Sequence, residues 1–333
     1  MVTIKDVAKR AGVSPALVSA ALGGASRTVR MSEATRLRVE QAVAETGYRA
    51  NHAARSLSSS RTGVIAAVVP KIANPVFELA IRGMQAAAEE HGEVLMLADS
   101  MWIEPGTHLM SRMAGTGMVD GFLVRSTTWG SERSDELTRR GLPFVIMQTP
   151  GPDQPTSVWV DDQAGMYRAA SHLTALGHRD IALVGGYAGI EQRAGGFRSA
   201  LAEVGVRPHE DRIQLLGFDP EVIGAAVREI MTAPRPPTAL VIDNVIAAPG
   251  ATAALIDLGI RVPQDLSLVV YHDLPTADQL RPAPTTVRMP LAEAGRRGYL
   301  TLRKLINGQS ASSAIVRRPG PKLIDRGSTA PLH

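Results

Sequence analysis

From Gly63 onward the chain alternates short apolar runs with segments of helical periodicity, and no other feature restricts the fold as much. GVIAAVVP, EVLMLA, GFLV, PFVIM and SVWV alternate with helical patterns near 77–91, 107–115 and 132–140. The series resumes with DIALVGG, RIQLLGF, TALVID and LSLVVY, among helical patterns near 163–176, 191–204, 220–232 and 247–258. Short apolar runs rich in Val, Ile and Leu read as strands buried on both faces. Repeated strand–helix units predict parallel sheets with helices on both sides. Such sheets bind ligands beyond the carboxyl ends of their strands. The composition suits this, with 44% hydrophobic residues but only 4% aromatic, a core of Ala, Val, Leu and Ile.

The first sixty residues follow a different pattern. In IKDVAKRAGVSPALVSAALGG, Ile4, Val7, Ala8 and Ala11 share one helical face. Gly12 can take the positive φ that ends a helix. Ser14 and Pro15 read as the N-cap and first residue of a second helix, with Val18, Ala21 and Leu22 on its apolar side. A small residue at 8, glycine at 12 and a branched residue at 18 have the spacing of a helix-turn-helix, although a plain helical hairpin shares it. SEATRLRVEQAVAETGY predicts a third helix, with Ser32 as N-cap, Gly47 as C-cap, and Leu37, Val39, Ala42 and Val43 apolar. Residues 1–61 hold ten basic against four acidic groups, a net of +6, whereas the other 272 residues hold 26 basic and 28 acidic groups, a net of −2. A basic head on a near-neutral body is the charge pattern of nucleic-acid binding.

Other classes are disfavoured. There are no cysteines, hence no disulfide framework and no thiolate chemistry. No apolar run approaches the roughly 20 residues of a membrane span, and MVTIKDVAKR lacks a signal-peptide core. The expected setting is cytoplasmic, with no membrane partner. Dinucleotide, P-loop, nucleophile-elbow and metalloprotease motifs are absent, so no catalytic residue, cofactor or metal site is expected. His178 in LGHRD reads as a capping or packing residue. Adjacent Asp161 and Asp162 on an extended strand would point to opposite faces, which argues against a shared acid–base pair.

TIKDVAKRAGVS, SEATRLRV, GY and NHAARSL closely resemble the lactose-repressor (LacI/GalR) family of bacterial transcription regulators. The resemblance continues through NPVF, VDGFLV, LTALGHRDIALVGG, RAGGFRSAL, RPPTALVIDN, GIRVPQDLSLVVYHD and PTTVRMP, in family order along essentially the whole chain. It implies an N-terminal all-α helix-turn-helix domain with a hinge helix, then an α/β body of two lobes with parallel sheets, like a periplasmic binding protein. The implied boundaries are 1–48 for the head, 49–61 for the hinge and linker, and 62–333 for the effector-binding and dimerisation body. Lobe one would take about 62–160 and 289–318, and lobe two about 161–288 and 319–333. The alternative with the same body is a solute-binding protein without a transcriptional role; the basic head argues against it.

The implied partners are palindromic double-stranded operator DNA, a small-molecule effector of the sugar or sugar-derivative class, and a second copy of the chain. The tail PKLIDRGSTAPLH has no heptad repeat, so a dimer is expected rather than a tetramer. Family position places Pro15, Ala16 and Ala20 at the groove face of the second helix. The family's Thr, Arg and Asn there are Leu17, Ala20 and Gly23 in this chain, which weakens any borrowed base code. Small side chains can meet thymine methyls but cannot form bidentate pairs with guanine or adenine. Ser14, Ser19, Thr28 or Arg30, Tyr48 and Asn51 match phosphate contacts. The hinge, with Arg55, matches a segment that folds on DNA, and Leu57 matches the leucine that wedges into the minor groove. Ala50 replaces the family's proline after the tyrosine.

For the effector, the resemblance implies Phe77, Ser126, Asp161, Arg193, Phe218, Asn244 and His272. Two family acids are missing, since YDD reads YHD and ND reads NV. Loss of two acceptors beside a retained arginine predicts a more positive pocket and an acidic or phosphorylated sugar derivative.

Overall fold

The computed structural model describes residues 2–22, 31–48, 61–99, 113, 115, 117–125, 131–148, 155–186 and 191–332. Helix α1 spans Ile4–Ala11, α2 Pro15–Leu22 and α3 Glu33–Thr46. Each boundary has a local cause. Asp6 accepts hydrogen bonds from the Thr3 backbone N–H and hydroxyl, closing the first turn of α1. Gly12 ends α1 at φ 66°, and Gly47 follows α3 at φ 64°. The Leu17 N–H donates to Ser14 Oγ, and the Thr35 N–H to Ser32 Oγ. Val7, Ala8, Ala11, Val18, Val39 and Ala42 form one buried cluster, with Tyr48 packed against it. Leu37, expected on the apolar side of α3, is 56% exposed. It falls between the exposed Arg36 and Arg38, and Val39 turns inward instead.

The body holds two main sheets. In the first, the order is β2(Val94–Asp99)–β1(Val64–Val69)–β3(Gly121–Val124)–β4(Phe144–Ile146), all parallel. A bridge from Ile146 to Ser157 extends it to β5(Val158–Val160), which pairs with β11(Ala314–Val316). Helices α4(Val76–Glu90) and α10(Leu291–Ile306) pack on it at very close range. A methyl at Gly83 would collide with the Ala292 carbonyl, and one at Gly295 with the Ala80 carbonyl. The two glycines thus let the helix backbones touch, and they fasten a late segment to an early one. Helix α5(Ser131–Arg139) lies between β3 and β4 in sequence.

The second sheet runs β12(Lys322–Ile324)–β10(Thr285–Arg288)–β9(Ser267–Tyr271)–β8(Ala239–Ile242)–β6(Ile181–Val184)–β7(Ile213–Gln214). Its strands are parallel except β12, which pairs antiparallel with β10, a departure from the all-parallel expectation. Strands β6, β8 and β9 are buried throughout, as apolar runs covered on both faces must be. The remaining helices are α6(Asp162–Ala175), α7(Glu191–Glu203), α8(Pro220–Thr232) and α9(Ala248–Asp257). The chain crosses between sheets three times, after β5, after β10 and after β11. The strand after LSLVVY, helix α10 and strands β11 and β12 lie beyond the strand–helix series read from the sequence. The helix anticipated near 107–115 lies almost wholly outside the described residues. No described helix is long and apolar enough to cross a membrane.

Candidate functional site

At the carboxyl ends of the strands, a cavity of about 50 Å³ lies between the two sheets. The first sheet's side contributes Val69, Phe77, Arg125, Met147 and Trp159, and the second side Asp162, Arg193 and His272. Three of the polar residues stand where strand–helix logic puts ligand contacts. Arg125 follows β3, Asp162 opens α6 after β5, and His272 follows β9.

Arg193 is the centre of a buried network. Helix α7 is pressed so closely onto α6 that a methyl at Gly196 would strike the Gln163 carbonyl. That contact brings Arg193 Nε to 3.1 Å from Asp162 Oδ1. Its Nη1 donates to Asp243 Oδ1 at 3.0 Å and to the Asp243 carbonyl at 3.1 Å. Its Nη2 donates to His272 Nε2 at 3.1 Å. The guanidinium also lies 4.3 Å from the centre of the Tyr271 ring, whose hydroxyl donates to Asp162 Oδ1 at 2.9 Å. Across the cavity, Arg125 donates to the Met147 carbonyl at 2.8 Å and stands over Phe77.

These partners set the protonation states. Burial works against the Arg193 cation, but Asp162 and Asp243 outweigh it and hold the cation more firmly than usual. Burial pushes Asp243 up to about 6, with Arg193 pulling the other way. Burial works against the Asp162 carboxylate, but Arg193, Arg125 and the hydrogen bond from Tyr271 outweigh it and hold Asp162 below the usual carboxylate range. Burial first, then the Arg193 charge, drive His272 far below the usual imidazole value, so it is neutral. An arginine only donates, so His272 Nε2 must accept and the ring proton belongs on Nδ1. That Nδ1 is buried and has no hydrogen-bond partner among the described residues. His272 also holds φ 67°, left-handed backbone that imidazole side chains adopt more readily than bulky ones.

Of the residues anticipated for the effector, the cavity brings together Phe77, Arg193 and His272. Asp161 lies elsewhere. It caps α6 by accepting from the Ala164 N–H and pairs with Arg317 at 3.3 Å, while its neighbour Asp162 takes the cavity position. Asn244 is buried in the turn after β8, accepting from the Ile246 N–H, and Phe218 is half-buried before α8; neither lines the cavity. Ser126 lies outside the described residues. The cavity lining carries Arg193 and Arg125 against one carboxylate, Asp162. Asp243 pairs with Arg193 but does not line the cavity, and Val245 belongs to the hydrophobic core. Asp162, Asp243, Arg125 and Tyr271 were missed; position at the carboxyl end of a strand was the signal that could have found them. His178, read as a packing residue, bonds Thr238 Oγ1 and Ser267 Oγ.

In the head, Ser14, Pro15, Ala16 and Ser19 are exposed, Ala20 is partly exposed, and Tyr48 is half-buried on the core. Thr28, Arg30, Asn51, Arg55 and Leu57, with the rest of the expected hinge helix, lie outside the described residues.

A three-helix head in front of a two-sheet body with a cavity at its strand ends defines the class of ligand-binding proteins that carry a helix-turn-helix. Residues 3–51 match the bacterial regulatory proteins of the lacI family, and 170–329 a periplasmic binding protein-like domain. The HTH-type transcriptional repressor CytR of Escherichia coli (strain K12) is 30% identical over 334 residues, 99% of this chain and 97% of its own. A LacI family transcriptional regulator from Enterococcus faecium, solved with bound ribose, is 26% identical at TM-score 0.70, covering 81% of this chain and 100% of its own. The transcriptional regulator CelR in complex with cellobiose is 28% identical at TM-score 0.72, covering 98% and 100%. This chain belongs to the lacI family of bacterial regulatory proteins, with a DNA-binding head on a two-lobe effector-binding body.

Proposed function

We propose that the chain is a homodimeric transcriptional repressor whose hold on a palindromic operator is set by a small molecule in the cavity around Arg193. The effector is a sugar or sugar derivative, as in the ribose and cellobiose complexes of the related regulators. The observation that carries the reading is the buried polar network of Arg193, Asp162 and His272 opening onto a cavity between two sheets, in a chain with a helix-turn-helix head. The lining sets two arginines, Arg193 and Arg125, against one carboxylate, Asp162, an excess of positive charge that favours a sugar derivative bearing an acidic group.

In this reading the head is 1–48, the hinge 49–61 and the body 62–333, with lobe one at about 62–160 and 289–318 and lobe two at about 161–288 and 319–333. Strand membership and the three crossings support the division of the lobes. Phosphates are held by Ser14, Ser19, Thr28, Arg30, Tyr48 and Asn51, and Leu57 wedges the minor groove. A ligand that alters the closure of the lobes alters the separation of the two hinges. Coupling of about 1–3 kcal/mol changes operator affinity roughly 5- to 150-fold. The chain works in the cytoplasm, and its chemistry is recognition rather than catalysis.

The test is selection of bound fragments from genomic DNA with the full chain, then a metabolite screen on the selected complex. Sequence-specific retention and a shift in affinity with one sugar class support the reading. Retention of sugars with no specific DNA binding in any form would leave a solute-binding protein instead.

A further inference from the structure

The second helix of the head restricts which bases the family's DNA-binding function can read here. Val18 of α2 is fully buried, and Ala21 and Leu22 rest on the same core. The opposite side presents Ala16, Leu17, Ser19 and Ala20. Ala16 and Ser19 are exposed; Leu17 and Ala20 are partly exposed, and neither belongs to the head's core cluster. The whole helix, PALVSAAL, has no charged side chain, and Ser19 is its one polar one. Ser14, just ahead of it, is engaged in capping through the Leu17 N–H.

A helix of this motif lies in the major groove with its outward face against base edges. Bidentate recognition of guanine needs Arg or Lys, and of adenine Asn or Gln. This face has none of them. The one major-groove feature that a methyl or isobutyl group complements is the C5-methyl of thymine. We infer that α2 selects its operator half-sites by packing Ala16, Leu17 and Ala20 against thymine C5-methyl groups, with Ser19 as its single hydrogen-bonding reader. Recognition at these positions is then a matter of shape and desolvation, and 5-methylcytosine counterfeits thymine there.

The inference rests on the regulator reading above, and the experiment separates the two. The full chain selects duplexes from a randomised library. The winning duplex is then made with deoxyuridine for thymine at one contacted position in both half-sites, which deletes only the methyl groups. Removing one buried methyl weakens binding about fourfold, so the symmetric pair weakens it about fifteenfold. Deoxyuridine in the flanks leaves affinity unchanged, and 5-methylcytosine binds better than cytosine at the contacted position. In Leu17→Ala the penalty shrinks while the circular dichroism stays the same, since Leu17 lies outside the core. Ala20→Arg moves the selected consensus towards guanine. Winners with guanine or cytosine fixed opposite α2, or deoxyuridine duplexes that bind like the parent, overturn the inference and leave the regulator reading intact. Failure to select any duplex at low salt overturns both.

Discussion

The head and the cavity solve recognition in opposite ways. On α2 the functional face is what the fold leaves outside: small, uncharged side chains over a core of six buried residues. In the cavity the functional groups are what the fold takes inside: two arginines, one carboxylate and a neutral histidine, each set by its neighbours. A surface of alanines can vary with little cost to folding, so binding preference can drift there independently of stability. A buried charge network cannot, because Asp162 and Asp243 both depend on Arg193 for neutralisation. Function and stability are separable in the head and fused in the cavity.

The largest test of that contrast is Arg193→Met. It strands Asp162 and Asp243 in the interior, and removing one partner of a buried ion pair costs about 3–5 kcal/mol. Chemical denaturation should show a loss of that size, together with loss of the metabolite response. Ala16→Ser, by contrast, should stay within about 0.5 kcal/mol of the parent. Equal stability of the two variants would erase the distinction.

Salt sharpens it next. The head's net +6 per subunit predicts operator affinity falling on the order of a thousandfold between about 50 and 200 mM salt, read as a steep log–log slope by fluorescence anisotropy. Affinity for the metabolite found in the screen should change far less, since the cavity's charges are buried and salt screens buried charges weakly. A flat operator slope would break the electrostatic account of the head.

Acid titration probes the cavity alone. Asp243 is raised to about 6 from an ordinary 3.8, so its contribution to stability is fully present below about 3.8 and is lost as pH rises through 6. Asp243→Asn lacks that loss. Relative to the parent, the variant should gain up to about 3 kcal/mol between pH 4 and 6 and nothing further above. A constant difference across this range would mean that Asp243 is not raised.

The smallest effect is spectroscopic. Nitrogen-15 shifts of His272 should report a neutral ring protonated at Nδ1, unchanged from pH 7.5 to 5.5, because burial and Arg193 hold its pKa far below normal. A titrating ring, or a proton on Nε2, would contradict the bond to Arg193.

The legibility of these regions in the sequence differed for physical reasons. The head's caps and core depend on residues a few positions apart, so Gly12, Ser14, Val18, Ser32 and Gly47 could be placed directly. Strands β6, β8 and β9 announced themselves because burial on both faces demands an unbroken apolar run. Strand β12 has three residues, none of them buried, and its antiparallel pairing leaves no such mark. The misplacement of Asp161 for Asp162 turns on one residue of helix geometry. The capping residue bends back to its own helix's N–H groups, while the first helical residue is free to reach Arg193. Arg125 and Asp243 directly follow the carboxyl ends of β3 and β8, which marks them as candidates, but the partners they meet across the fold are encoded by no local pattern.

The reciprocal glycine contact between α4 and α10 bears on how the molecule is made. Among the described residues, the head's core contacts fall within residues 4–48, so it can fold as soon as it leaves the ribosome. The sheet of β1 to β5 must wait for α10 and β11, emitted after the whole second sheet except β12. Arg61 reaches across 246 positions to Asn307, and Tyr299 across 206 to Glu93. A nascent chain therefore completes the core of its three-helix head long before it can complete the sheet of β1 to β5 that walls the cavity.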